Sequence, residues 1–343
     1  MKKCVLHTSD LAIGFRSTGK RDTVLHSGIN LQLFSDEITC LLGPNGAGKS
    51  TLLRTFSGFL PPLNGAVTID EKELDSYSSS ALAKKVSVVL TEKVELGSFQ
   101  VFSVVALGRS PYTGFLGRIS AHDTLIIDKA LESTGISHLR NRNFDELSDG
   151  EKQKVMIAKS LAQETPVILL DEPTAFLDFP SKTETLSLLR EAAWKQGKTV
   201  LLSTHDLNLA LSFADKIWLM AKDKPIVTGT PEDLVLDGHF ADFFNKENTR
   251  FDLASGSFVF ESPKKAEIAV SGSGHSFIWL KKALSRKGFR VSEKMFNKPS
   301  TLKISILEEE KPTFNVEING EKMVVGNIAE VLEILEGSNN NFE

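Results

Sequence analysis

The chain has 343 residues, long enough for two domains, and its 41% hydrophobic residues can supply a sizeable core. A formal net charge of −4 leaves no basic footprint for nucleic acid or an anionic membrane surface. Two cysteines, Cys4 and Cys40, exclude a disulfide framework, and no apolar run approaches the ~20 residues of a membrane-spanning helix. The start, Met1-Lys2-Lys3-Cys4, runs into His7, Thr8, Ser9 and Asp10 without an apolar signal core. A soluble cytoplasmic protein is expected, and any membrane role has to come through a partner.

Short apolar runs alternate with helical stretches over the first ~255 residues, the pattern of α/β units around a largely parallel sheet. A predicted strand at residues 38–42 leads into Gly43-Pro44-Asn45-Gly46-Ala47-Gly48-Lys49-Ser50, which fits G-x-x-x-x-G-K-S ahead of a predicted helix. Glycines let successive backbone N–H groups turn inward around phosphate oxygens, and the following helix, with Thr51 in its first turn, adds its positive end. Lys49 supplies a cation for the β- and γ-phosphates, and the Ser50 hydroxyl is suited to Mg²⁺.

Leu147-Ser148-Asp149-Gly150-Glu151 opens a predicted amphipathic helix over residues 151–163, with Val155, Ala158 and Ala162 on one face. Ser148 or Asp149 can cap that helix, and Glu151 complements its dipole. A functional reading stands beside this one: Ser148, Gly150 and the helix end form a second γ-phosphate receptor. Residues 167–170 are continuously apolar, as in a strand buried on both faces, and end in Asp171-Glu172. One of these carboxylates can hold Mg²⁺ and its neighbour can polarise an attacking water. A third strand, residues 199–203, ends at Thr204-His205-Asp206, where His205 can reach the γ-phosphate or that water.

The pattern changes around residues 254–257, followed by Ser262-Pro263-Lys264-Lys265. Two domains are expected, 1–257 and a smaller α+β unit at 263–343. In the second, residues 268–270 read as a strand and 276–286 as a helix. Leu302, Ile304 and Ile306 alternate, as do Phe314, Val316 and Ile318 before the turn Asn319-Gly320, and Ile328, Val331, Leu332 and Leu335 follow helical spacing. Ser271-Gly272-Ser273-Gly274-His275-Ser276 is read as a tight strand-to-helix turn with Ser276 as the cap, with small-anion binding as the weaker alternative.

Taken together, GPNGAGKS at 43–50, LSDGE at 147–151, VILLDE at 167–172, Phe176-Leu177-Asp178 and His205 resemble the ATP-binding cassette (ABC) ATPases over about residues 3–250. The segments match that family's Walker A, signature, Walker B, D-loop and switch histidine in order. The resemblance implies an α/β fold of the P-loop NTPase class and ATP and Mg²⁺ as ligands. It also implies a head-to-tail homodimer in which Ser148, Asp149, Gly150 and Glu151 of one subunit close over ATP held by the other. By the same resemblance Glu172 is the catalytic base, Ser50 and Asp171 hold Mg²⁺, and Phe15 takes the place of an aromatic that stacks on adenine.

Two positions depart from the family pattern. Thr91-Glu92 stands where a Q-loop glutamine is usual, and Asp149 replaces a glycine of the signature. Asp149 is expected to point outward as a cap, away from the γ-phosphate it would repel.

Within the family the chain is most similar to the ATPases of iron-chelate, haem and cobalamin importers. The resembling segments are Ala106-Leu107-Gly108-Arg109-Ser110-Pro111-Tyr112, Gly117-Arg118-Ile119-Ser120, Thr204-His205-Asp206-Leu207-Asn208 and Gly229-Thr230-Pro231-Glu232. The resemblance implies a peripheral subunit on the cytoplasmic face of the membrane, energising permease subunits served by a substrate-binding protein. Residues near Arg109 and Tyr112 are expected to face the permease, and the cargo to be an iron complex such as a siderophore or haem. The alternatives are an importer for cobalamin or another metal chelate, a soluble ABC ATPase without a permease, and a nucleotide-binding regulator.

Overall fold

The computed structural model describes residues 2–17, 19, 21–90, 97–114, 117–244, 249–253, 256–260, 267–292, 302–307 and 311–337. They form two compact units, Met1–His239 and Phe240–Glu343. In the first unit the strands are β1 (Cys4–Phe15), β2 (Thr23–Ile29), β3 (Gln32–Phe34), β4 (Ile38–Leu42), β5 (Asn64–Ile69), β6 (Lys72–Glu73), β7 (Val86–Val89), β8 (Val167–Leu170), β9 (Thr199–Thr204), β10 (Lys216–Leu219) and β11 (Val227–Gly229). The helices are α1 (Lys49–Phe56), α2 (Ser79–Leu82), α3 (Val101–Ala106), α4 (Ala121–Ser133), α5 (Asp149–Ala162), α6 (Phe179–Gln196), α7 (Leu207–Phe213) and α8 (Pro231–Leu236).

The central sheet has the order β11-β10-β4-β9-β8-β7, parallel throughout except for the edge strand β11. Every residue of β4, β8 and β9 is buried, which is why these strands read as unbroken apolar runs. A second, antiparallel sheet runs β2-β1-β5-β6 with β3 alongside β1. Side chains from both sheets meet α1 in one core, where Phe56 and Trp218 pack edge to face at 6.3 Å.

Helices α3, α4 and α5 pack on one another, and Arg109, just beyond α3, locks them. Its guanidinium is buried, 3% exposed, and pairs with Asp123 at 2.9 Å and Glu164 at 2.8 Å. It also donates to the Ala162 carbonyl at 2.8 Å and lies 4.1 Å from the centre of the Tyr112 ring. This corrects the expectation that Arg109 faces a permease: its side chain ties the end of α5 to the start of α4. Tyr112 remains partly exposed, its hydroxyl donating to the Gln163 carbonyl.

In the second unit, α9 (His239–Phe244) and the hairpin of β12 (Thr249–Asp252) and β13 (Ser257–Phe260) are joined by an aromatic cluster of Phe240, Phe244, Phe251 and Phe258. The division between units therefore falls ahead of the boundary expected at 257–263; of those residues, 261–263 lie outside the described ones. Then come β14 (Glu267–Ser271), α10 (Gly274–Arg286), β15 (Arg290–Ser292), β16 (Leu302–Leu307), β17 (Thr313–Ile318), β18 (Glu321–Val325) and α11 (Ile328–Gly337). The sheet order is β15-β14-β16-β17-β18, parallel across the first three strands and antiparallel beyond.

Leu302, Ile304, Ile306, Phe314, Val316 and Ile318 face one core with Leu280 and Leu284 of α10 and Val331 and Leu335 of α11. Asn319 (φ 52°) and Gly320 (φ 92°) form the expected two-residue turn, both left-handed. Helix α10 begins two residues earlier than expected, with Ser273 at the cap position and no side-chain cap bond, so Ser276 is not the cap.

Removing Arg109 leaves Asp123 without its charge partner, so Arg109→Met should cost about 3 kcal/mol in chemical denaturation at neutral pH. Hydrogen bonds from Ser120 and then Arg109 pull the Asp123 carboxyl down to about 2 from 3.8. The stability this adds is complete above 3.8 and is lost as pH falls towards about 2. Unfolding free energy followed across that interval should fall less steeply in the variant than in the parent.

Candidate nucleotide site

The loop at 43–48 is shaped by its glycines. A Cβ on Gly43 would lie 2.0 Å from the Met220 carbonyl oxygen at the end of neighbouring β10. Gly46 (φ 80°) and Gly48 (φ 101°) adopt the left-handed region that a side chain would strain. Gly48 is the N-cap of α1, with no side-chain cap and no acidic residue in the first turn. The first-turn N–H groups and the positive helix end are therefore directed at the loop, an arrangement suited to phosphate.

Pro44, Asn45 and Gly46 are exposed, whereas Ala47 is buried and its carbonyl lies 2.9 Å from His26 Nε2. Lys49 is buried, its ammonium donating to the carbonyls of Gly43 at 2.9 Å and Pro44 at 3.3 Å. Ser50 is exposed in the first turn of α1, and Thr51 beside it is buried.

Strand β9 lies between β4 and β8, and the three end at the same edge. Asp171 and Glu172 follow β8, and His205 follows β9. The Glu172 carboxylate stands between two nitrogens, with Oε1 3.6 Å from Lys49 Nζ and Oε2 3.1 Å from His205 Nδ1. Its backbone is left-handed, φ 48°, an uncommon conformation for a residue with a Cβ. Ser203, fully buried in β9, holds it there: the Glu172 N–H donates to Ser203 Oγ at 2.9 Å, and Ser203 Oγ donates to Asp171 Oδ1 at 2.6 Å. One hydroxyl thus fixes both carboxylate-bearing residues. Ser203 was absent from the sequence-derived site because a serine in an apolar strand carries no motif.

Ser148 is the N-cap of α5 in a reciprocal capping box with Glu151. The backbone N–H of Ser148 and then its hydroxyl hold the Glu151 carboxyl below the usual range. Asp149 is exposed but is the first helical residue rather than the cap, which corrects half of its expected role. Gly150 packs near α6, where an added Cβ would meet Ser181 Oγ at 3.1 Å. Asp178 caps α6, its Oδ1 accepting from Ser181 N at 3.0 Å, and the Ser181 hydroxyl and then its backbone N–H hold the Asp178 carboxyl below the usual range. Phe15 is half exposed at the end of β1. Thr91 and Glu92 lie outside the described residues. Lys49, Asp171, Glu172 and His205 are thus brought to one edge.

The family described as ABC transporter matches residues 26–175, and that described as iron ABC transporter C-terminal domain matches residues 264–336. An uncharacterized ABC transporter ATP-binding protein of Methanocaldococcus jannaschii is 40% identical over 273 residues, covering 79% of this chain and 92% of that protein. The chain belongs to the ABC transporter ATP-binding proteins. Its activity is ATP hydrolysis.

The ferric enterobactin transport ATP-binding protein of Escherichia coli is 35% identical over 60% of the chain and 76% of its own length. The iron(3+)-hydroxamate import ATP-binding protein of Bacillus subtilis is 36% identical over 66% and 82%. Among solved structures, CbiO1 of Clostridium perfringens, part of an ABC transporter complex, is 30% identical with a TM-score of 0.61, covering 70% of this chain and 94% of that one. Among the described residues of the cassette and its C-terminal unit, no helix is long and apolar enough to cross a membrane.

Ser203→Ala leaves the Glu172 N–H and one Asp171 oxygen without their shared partner. Steady-state ATPase kinetics should show kcat reduced about 10–100-fold with a small change in KM. Ser203→Thr, which keeps the hydroxyl, should recover part of the loss.

Proposed function

We propose that this cassette is the ATP-hydrolysing subunit of a membrane importer for an iron complex, a siderophore or haem. The observation that carries the catalytic half is the Glu172 carboxylate held between Lys49 and His205 beside the phosphate loop. The iron half is supported by the match of residues 264–336 to the iron ABC transporter C-terminal domain and by relatives named for ferric enterobactin, hydroxamate and petrobactin. A cobalamin importer is the second reading, favoured by a Halobacterium salinarum cobalamin import ATP-binding protein that is 35% identical over 68% of the chain.

In this reading the loop N–H groups and Lys49 cradle the β- and γ-phosphates of ATP, and Phe15 stacks on the adenine. The Ser50 hydroxyl and the Asp171 carboxylate are hard oxygen donors and fit Mg²⁺, which takes few protein ligands and keeps phosphate and water in its shell. When bound, Mg²⁺ neutralises charge on the phosphate oxygens. Glu172 accepts a proton from the attacking water, and the new P–O bond forms as the bond to ADP breaks. His205, in contact with Glu172, orients the carboxylate and meets the γ-phosphate. Ser203 keeps the base aligned.

Each site is half of a head-to-tail homodimer, completed by Ser148, Asp149, Gly150 and Glu151 of the second copy near the γ-phosphate, with Asp178 at the same interface. The Ser148–Glu151 capping box presets the α5 terminus for that contact, because the cap already fixes both side chains. Thr91 and Glu92 occupy the Q-loop position. Closure is passed to permease subunits at the cytoplasmic face of the membrane, which a substrate-binding protein supplies. The cassette is the unit Met1–His239, and the α+β module lies within the second unit, Phe240–Glu343.

Glu172→Gln should bind ATP with near-parental affinity and lose turnover by about 10²–10⁴-fold, measured by nucleotide titration and phosphate release. Full turnover in this variant would remove Glu172 as the base. Specific ATPase activity of the parent should rise steeply with protein concentration or with co-purified permease, and stimulation by an iron chelate rather than cobalamin in reconstituted vesicles would separate the two cargo readings.

A further inference from the structure

The second unit segregates its charges by helix. Helix α10 carries Lys281, Lys282 and Arg286 and no acidic residue, whereas α11 carries Glu330, Glu333 and Glu336 and no basic one. All six are exposed. The two helices lie side by side on the same face of the sheet, because Leu280 and Leu284 of one and Val331 and Leu335 of the other enter a single core. Among the described residues, Lys287 pairs with Glu336 at one end, and Glu330 at the other end of α11 accepts from Asn327 Nδ2 at 2.6 Å and Gly326 N at 3.0 Å.

This face is also apolar at the α10 side. Ile278 is 50% exposed and Trp279 60% exposed, although Phe277 beside them packs on the core. The Lys282 ammonium lies 4.7 Å from the centre of the Trp279 ring, so the tryptophan sits inside the basic patch. An exposed tryptophan beside charged side chains is the composition of an association surface, with the ring as anchor and ion pairs setting the register.

We propose that this two-helix face is a self-association surface, docking on the same face of a second copy of the chain. The charge pattern selects that occupant. A two-fold axis running between α10 and α11 sets each basic helix on the acidic helix of the other copy, so both patches are matched at once. An anionic lipid surface would attract α10 but be repelled by the glutamates of α11, and a basic partner would meet the opposite conflict. The contact lies wholly within the C-terminal unit and does not depend on nucleotide-driven closure of the cassettes.

The test uses full-length chain, freed of nucleotide and Mg²⁺, in sedimentation equilibrium over a range of protein and salt concentrations. The parent should dimerise with a salt-sensitive constant. Lys281→Glu/Lys282→Glu and Glu333→Lys/Glu336→Lys should each self-associate at least about tenfold more weakly, since like charges then face each other. Mixed in equal amounts, the two variants should associate with near-parental affinity, because in the mixed dimer both helix pairs are again opposite in charge. Recovery on mixing also shows that both variants are folded.

The proposal is overturned if the parent stays monomeric, if either variant associates as the parent does, or if the mixture fails to recover. It is likewise overturned if Lys281→Glu/Lys282→Glu abolishes co-sedimentation with phosphatidylglycerol vesicles while leaving self-association unchanged, which would make the face a membrane contact.

Discussion

Three parallel strands, β4, β9 and β8, run side by side in a register that aligns Leu42 with Thr204 and Leu170 with Leu202. This alignment is what gathers the site. The phosphate loop, His205 and Glu172 leave the sheet at one edge because the strands before them end together, although they are far apart in sequence. Parallel strands require crossovers, and here the crossovers are helices that pack on both faces and bury the strands completely. The burial that makes β8 an unbroken apolar run also makes it a rigid mount for the carboxylates at its end.

Two buried cations show how one chain uses charge for opposite ends. Arg109 is enclosed by Asp123, Glu164, the Ala162 carbonyl and the Tyr112 ring, so its desolvation is offset by partners that hold three helices together. Lys49 is equally buried but has two carbonyls for partners, with the Glu172 carboxylate at a longer 3.6 Å. A lysine with loose partners can transfer its donors to an arriving phosphate, whereas Arg109 cannot leave its network without unpairing an acid. Composition does not distinguish them, since each is a basic residue beside glycine.

The C-terminal unit follows a simpler logic. Alternation in β16 and β17 puts one side of each strand into the core, and the helical spacing of α11 does the same for Val331 and Leu335. Its polar residues are organised too, for the two helices that cover one sheet face carry opposite signs on their outer surfaces. That separation serves no need of the unit's own core.

The sequence by itself determined whatever depends on neighbours along the chain. The phosphate loop was legible because its glycines, Lys49 and Ser50 act within one turn, and the Asn319-Gly320 hairpin because both positive φ values fall on adjacent residues. The α/β order, the buried strands and the position of Glu172 at a strand end were legible for the same reason. Only the tertiary structure decided between Ser148 and Asp149 as cap of α5, moved the start of α10 to Gly274, and turned Arg109 from a surface candidate into an internal clamp. It alone disclosed Ser203, whose partners lie 31 and 32 residues away. A hydroxyl that bridges two strands has no local spacing to reveal it, because its role is set by which strands become neighbours in the sheet.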